Sequence, residues 1–299
     1  MSDHLPDLPS LLPSWLLSLE AERKAPETRK SYRNGVNVFL RWCDETGTPA
    51  QLDRATVQRF IAALLDNGAE PNTAVSRQAA LKGFSAWLAE EAEIDRDDLQ
   101  GMRRPKVDSK ITRALTEDQI KRFIKACQGN SFLDRRDEAI VRLMLETGMR
   151  ASELVGLQMS DVDVMRGRAI VQRGKGGKGR LSPFGPQTAK ALDRYLRARR
   201  LQRLADTGPL WLGGAGKTFG YPGLDKAMKN RAKAAGIEGF HVHLLRHTFA
   251  TRWKAAQGSD DGLMAVAGWA SRSMIDRYAG AAAAERAAEE SRRLGLGDV

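Results

Sequence analysis

The sequence predicts a mainly α chain of two domains, a helical bundle followed by a larger α+β domain with a small antiparallel sheet. Three observations predict it. Apolar residues recur at spacings of three and four through the first hundred residues, and helical patterns return from Gln187 onward. Over residues 161–184 the period changes, and 168–173 and 180–184 read as strands joined by a glycine-rich hairpin loop, 174–179. A polar, basic stretch punctuated by Pro105 covers residues 101–112 and reads as an interdomain linker.

Taken in order, residues 9–22 form an apolar first helix. Residues 27–46 place Tyr32, Val36, Phe39, Leu40 and Cys43 on one stripe, and Gly47 and Pro49 end the helix. Asp53 or Thr56 caps a third helix carrying Val57, Phe60, Ile61, Leu64 and Leu65, closed by Asn67-Gly68. Asn72 opens a fourth, with Val75, Ala79, Phe84, Trp87 and Leu88. Four antiparallel helices with short connections make a compact bundle. Beyond the linker, Thr116 starts a helix with Glu117 and Asp118 in its first turn, running to Cys127. Another, near residues 134–146, ends at Thr147-Gly148-Met149-Arg150. Residues 219–223 are a turn-rich interruption, and the tail from Ala281 is a good intrinsic helix former with little apolar surface. The expected organisation is a helical domain over 1–100, a linker over 101–112, a second domain over 113–280 and a tail helix over 281–299.

Composition narrows the partners. No stretch reaches the roughly 18 unbroken apolar residues of a membrane helix. The apolar run over 11–19 is interrupted by Pro13 and Ser14 and preceded by Asp3 and Asp7, which makes a poor signal peptide. Two cysteines, Cys43 and Cys127, in helix-like apolar patterns suggest buried free thiols and a reducing cytoplasm. The net charge of +11 favours a polyanionic partner. Residues 1–108 carry −3 and residues 109–299 carry +14, so the excess belongs to the second domain.

Phosphoryl transfer needs fixed positive charge on the non-bridging oxygens, an in-line nucleophile and a proton donor for the leaving oxygen. Arginine suits the first task, because its planar fork binds phosphate bidentately and stays charged. Thr147-Gly148-Met149-Arg150 with Glu153, Lys175 in the glycine-rich loop, His243 and Arg246 in an H-x-x-R segment followed by His247, then Gly268-Trp269 and Tyr278, supply these types in order. The set resembles the tyrosine recombinase (phage integrase) family over residues 111–280. The spacings match that family: 25 residues from Arg150 to Lys175, 68 to His243, 23 from Arg246 to Trp269 and 9 to Tyr278. Residues 10–100 are similar to the family's SAM-like core-binding domain, including an Arg29-Lys30-Ser31-Tyr32 helix start.

The resemblance implies roles. Arg150 and Arg246 would clamp the scissile phosphate, and Lys175 would protonate the departing 5′ oxygen. His243 would assist deprotonation of Tyr278, whose ordinary pKa near 10 makes it a poor nucleophile unaided. Trp269, a donor only, would bind phosphate and pack. Glu153 would orient pocket cations or the His243 ring, with His247 in support. Lys178, Arg29, Lys30, Arg33, Arg77, Lys82, Arg103, Arg104 and Lys106 would contact DNA, the first-domain residues gathering on one face of an otherwise acidic domain. The implied partner is duplex DNA bearing recombination sites, held in a C-shaped clamp, with four protomers on two sites, weak association or monomers without DNA, and accessory bending or directionality proteins. Neither metal nor other cofactor is implied, and no extra arm-binding domain is expected ahead of the first helix. The tail, with Leu294 and Leu296, would contact a neighbouring protomer.

Each residue also has a plainer reading on its own. Arg150 and Glu153 could be a surface ion pair, Trp269 core, Tyr278 a helix anchor, and His247, His241 and His4 packing or surface residues. Lys217, Lys226, Lys229, Arg231 and Lys233 form a charge run that is either a solvated face or a DNA-facing one. Around Tyr278 the frequent Thr-Thr pair is replaced by Arg272-Ser273-Met274-Ile275-Asp276-Arg277. Two rival functions share this chemistry or surface: a type IB topoisomerase-like DNA relaxer, and a catalytically silent DNA-binding regulator.

Overall fold

The computed structural model describes residues 6–107, 113–172, 179–214, 217–269, 271–272, 274–275 and 290–295. The chain divides into two compact units, Met1–Ser109 and Lys110–Val299.

The first unit contains α1 (Leu8–Ala21), α2 (Pro26–Thr46), α3 (Arg54–Asp66) and α4 (Pro71–Glu90). Both α2 and α4 begin one residue earlier than their spacing suggests, on Pro26 and Pro71. A proline in the first turn loses no hydrogen bond that a helix would otherwise make. Asp53 is the cap of α3, its side chain accepting from the Thr56 N–H at 2.9 Å. Gly47 ends α2 in the left-handed conformation, as expected. The core gathers around Trp15, stacked between Tyr32 and Phe84 with centroids 5.5 and 5.0 Å away. On α4 the inward stripe is Ala74, Gln78, Leu81, Ser85 and Leu88, spaced three and four apart, whereas Ala79 is exposed. The phase of the stripe, filled partly by small and polar residues, decides which alanines are buried. The chain stays on the bundle past α4: Leu99 and Met102 join its core, and the Arg103 carbonyl accepts from Gln78 Nε2 at 2.9 Å.

The second unit runs α5 (Glu117–Cys127), α6 (Phe132–Thr147), α7 (Ala151–Gly156), a 3-10 turn (Met159–Asp161), β1 (Val162–Asp163), β2 (Arg168–Val171), β3 (Arg180–Pro183), α8 (Pro186–Arg199), α9 (Tyr221–Ala234), α10 (His243–Ala255) and α11 (Asp260–Ala267). Thr116 and Gln119 form a capping box at α5, and Ser131 and Asp134 another at α6, which starts that helix earlier than its apolar pattern does. The antiparallel sheet has the order β1-β2-β3, with Ala169 opposite Ser182 and Val171 opposite Arg180. β1 is two residues long, too short to declare a period. α9 begins inside the turn-rich segment, with Pro222 in its first turn.

α6 is the central helix, buried along almost its whole length. Its buried charges are paired: Asp137 accepts from Arg136 and from Arg231, and Arg231 also reaches Asp134 and the Ala126 carbonyl. Arg231 therefore braces α5, α6 and α9 together and is no part of the exposed basic run. A separate small apolar cluster, with Phe249, Leu263, Ala267, Trp269 and Ile275, joins α10 to α11 and the segment after it. Among the described residues no helix is long and apolar enough to cross a membrane.

Candidate active site

The site is assembled by two helix ends. α6 stops at Gly148 and α11 at Gly268, both glycines in the left-handed conformation, with φ of +59° and +65°. Immediately after the first end, Arg150 serves as the residue before α7, and Glu153 sits in the first turn of that helix. The Glu153 carboxylate accepts from the Arg150 backbone N–H and from Arg150 Nη1, both at 2.8 Å. Arg150 Nη2 donates to the Gly268 carbonyl at 3.1 Å. A guanidinium has five N–H donors, and among the described residues the others on Arg150 have no protein partner.

Arg246 comes from α10 and is buried, with 2% of its surface exposed. Its Nη1 donates to the Gly148 carbonyl, and its Cζ lies 5.2 Å from the Trp269 ring centroid. The two arginines interlock. Arg246 is bonded just ahead of Arg150, and Arg150 is bonded just ahead of the tryptophan on which Arg246 rests. Both are anchored at helix C-termini, where the carbonyl ends of the backbone dipoles attract cations.

His243 is exposed at the start of α10, and its ring stands edge-on to His247, one turn later, at 4.5 Å. His241 is exposed as well, 6.2 Å from His247. Trp269 is 5% exposed and belongs to the α10–α11 apolar cluster, so it combines a packing role with its contact to Arg246. Lys175, Lys178, Tyr278, His4 and Leu296 lie outside the described residues.

Arg180 is the pocket residue that sequence reasoning missed. From the start of β3 it donates through Nη1 and Nη2 to the two Glu153 oxygens, at 2.9 and 2.7 Å, and through Nε to the Val266 carbonyl at 2.8 Å. Strand alternation puts Arg180 on the same face as Ser182, and with Leu181 between them that face reads as the solvent side in the sequence, whereas Ser182 is buried and Leu181 is 51% exposed. Burial alone would raise the Glu153 carboxyl's pKa, but Arg180 and Arg150 outweigh it and hold the group below the ordinary glutamate value. Glu153 accepts hydrogen bonds from the Arg150 and Arg180 guanidiniums and from the Arg150 backbone N–H.

In the first unit, Lys30 and Arg77 line one groove between α2 and α4, together with Ser31, Asn34, Asn72, Thr73 and Ser76. The Asn34 amide, with its oxygen toward Arg77, accepts from both terminal nitrogens at 3.2 and 2.9 Å. Arg33 lies with Lys30 along the neighbouring groove between α1 and α2. Arg29 is instead paired with Glu20 at 2.6 Å, and Lys82 is turned to the Met102 carbonyl at 3.2 Å. Arg103 and Arg104 border a hollow with Arg54, and Lys106 is exposed. The tail is helical over 290–294, with Leu294 57% exposed. Among the described residues no group of three or more His, Cys, Asp or Glu side chains is arranged to hold a metal ion.

Comparison with known proteins identifies the family. A family model described as "Phage integrase family" matches residues 113–285, and one described as "Phage integrase, N-terminal SAM-like domain" matches residues 12–92. Tyrosine recombinase XerC of Pseudomonas fluorescens is 32% identical over 240 residues, which are 78% of this chain and 78% of that protein. The XerA recombinase structure is 26% identical, with a TM-score of 0.54, over 94% of this chain and 98% of that one. A lambda integrase tetramer bound to a Holliday junction shares the fold at 18% identity, with a TM-score of 0.67, over 88% of this chain and 77% of that one. The chain therefore belongs to the phage integrase family of tyrosine recombinases.

Proposed function

We propose that this protein is a site-specific DNA recombinase that cleaves and rejoins duplex DNA through a 3′-phosphotyrosyl intermediate on Tyr278. The observation that carries the reading is the interlocked pair of Arg150 and Arg246, each tied to a helix-terminal glycine carbonyl. Arginines fixed in this way meet a phosphate without reorganising as charge builds in the transition state. Arg150 has N–H donors to spare for the non-bridging oxygens, and Arg246, against Trp269, forms the floor. The Tyr278 oxygen forms its bond to phosphorus while the bond to the 5′ oxygen breaks. Lys175 supplies the proton that makes that oxygen a 5′ hydroxyl, and His243 receives the tyrosine proton. Attack by a 5′ hydroxyl of the exchanged strand reverses these steps, so phosphodiester energy is conserved and religation consumes no nucleotide.

On this reading Lys30, Arg33 and Arg77 of the first unit, with the linker arginines, neutralise backbone phosphates. Four protomers act on two sites, passing through a Holliday junction, with the tail helix reaching a neighbour. The lambda integrase tetramer supports that assembly by likeness of fold. The setting is the bacterial cytoplasm, with accessory DNA-bending or directionality proteins as further partners.

The test needs no known target. The protein and its Tyr278→Phe variant are incubated with sheared genomic DNA in EDTA, then denatured in detergent. Covalently attached DNA is captured, its ends are sequenced, and the modified residue is mapped by mass spectrometry. A Tyr278 adduct at one or a few sites, absent from the variant, is the expected result. Adducts scattered without sequence preference would favour a topoisomerase-like relaxer, and tight binding without adducts a DNA-binding regulator.

A further inference from the structure

Among the described residues, the hydrogen bonds of Arg180 join three separate segments at the pocket wall. Its side chain is 9% exposed, and its bonds run from β3 to Glu153 in α7 and to the Val266 carbonyl near the end of α11. Gly268 completes the fit. A Cβ there would come within 2.9 Å of Arg180 Nη1 and 3.0 Å of its Cζ. The same glycine offers its carbonyl to Arg150 Nη2. The two residues that anchor Arg150, Glu153 by its carboxylate and Gly268 by its carbonyl, thus both lie beside one guanidinium, which bonds the first and packs closely against the second.

Charge makes the arrangement more than a brace. The Glu153 side chain is 4% exposed, so its negative charge is poorly screened by water. Paired with Arg150 alone it would cancel the positive charge meant for phosphate. With Arg180 on its other side, the trio of two arginines and one carboxylate keeps a net charge of one positive unit. Glu153 can then orient Arg150 without neutralising it.

We propose that Arg180 is a positioning residue for strand cleavage, acting through Glu153 and Gly268 to hold Arg150 in place with its positive charge available to the scissile phosphate. The inference rests on the reading of Arg150 as a phosphate ligand.

The test uses the duplex sequence recovered by adduct capture, made with either an ordinary scissile phosphodiester or a methylphosphonate, which lacks the negative charge. Single-turnover formation of the Tyr278 adduct is followed at saturating protein for the wild type, Arg180→Met and Arg180→Lys. Arg180→Met is expected to cleave the phosphodiester about tenfold to 100-fold more slowly, with DNA affinity within about threefold. Its deficit shrinks on the methylphosphonate, where less charge has to be met. Arg180→Lys, which keeps the charge but not the fork, recovers only part of the rate. Equal slowing on both duplexes, or an unchanged phosphodiester rate, overturns the proposal. Melting temperature is recorded alongside, and Arg180→Lys carries the same two-duplex comparison if the methionine variant does not fold. The wild-type adduct is the control for the function itself, so failure of that reading is seen separately from failure of this one.

Discussion

The guanidinium of Arg246 lies over the ring of Trp269, 5.2 Å from its centroid, while its Nη1 is bonded to the Gly148 carbonyl. One planar cation is thereby held on its face by an aromatic ring and on its edge by a main-chain oxygen.

Lysine cannot satisfy both contacts. Arg246→Lys is expected to lower the yield of Tyr278 adduct about 100-fold, with DNA affinity changed by only a few-fold. Gel-shift titration and adduct quantification on the same duplex separate the two effects. A variant as active as the wild type would remove Arg246 from the pocket chemistry.

Trp269→Ala removes a buried ring from the small cluster with Phe249, Leu263 and Ile275. It is expected to cost about 3 kcal/mol by denaturant unfolding, and Trp269→Phe clearly less. Equal losses for the two would mean that the ring's bulk is not what fills the cluster.

The Glu153 carboxyl, held below its ordinary value by Arg180 and Arg150 against the opposing pull of burial, makes stability depend on pH in a definite direction. The unfolded chain takes up this proton at a higher pH than the folded one. The stabilisation is therefore complete above about pH 5 and is lost as the pH falls from the ordinary glutamate value, about 4.3, through the lower folded one. Glu153→Gln is expected to be about 3 kcal/mol less stable at pH 7, with the gap to wild type narrowing in acid. A gap that stays constant down to pH 3 would mean that Glu153 is not held as a carboxylate.

Gly148 and Gly156 make a matched pair of substitutions. Alanine at Gly148 would need an unfavourable φ of +59° and would drive its Cβ into the Phe249 ring, whereas nothing lies within 4 Å of a Cβ at Gly156. Gly148→Ala is expected to cost about 2 kcal/mol or more. Gly156→Ala is expected to be neutral or to gain about 0.5 kcal/mol. Thermal melts of the two decide it, and similar melting temperatures would contradict the structure.

Both thiols should be silent to aromatic disulfide reagents at pH 8. Burial pushes the Cys43 thiol up to about 11 and Cys127 up to about 12. Colour development is expected only after denaturant is added, and rapid reaction of the native protein would show that one of them is accessible.

The bundle was legible because its stripes are made of large apolar residues, Val36 and Phe39 on α2 and Val57 and Phe60 on α3, whose phase can be read directly. α4 was harder, because Ala74, Gln78 and Ser85 occupy its buried face and carry little hydropathy. Of the candidate site residues that are described, order and spacing single out Arg150, His243, Arg246 and Trp269, and the structure bonds Arg150 to the Gly268 carbonyl and Arg246 to the Gly148 carbonyl. Arg180 was not, because its partners are 27 and 86 residues away in sequence, and nothing local to a short strand says which carboxylate an inward arginine will find. The true partners of Arg29 and Arg231, Glu20 and the α6 aspartates, were hidden for the same reason. A basic residue in a basic neighbourhood reads as exposed until tertiary contacts turn it inward.

The glycine carbonyls that hold Arg150 and Arg246 belong to the main chain, and every amino acid carries one. An alanine scan through this pocket would delete Glu153, Arg180 and Trp269 in turn and still leave both oxygens in place. Such a scan would credit side chains with the whole of an orientation that the backbone half supplies. Replacing the amide after Gly148 or Gly268 by an ester, which weakens the carbonyl as an acceptor, is the change that would reveal the other half.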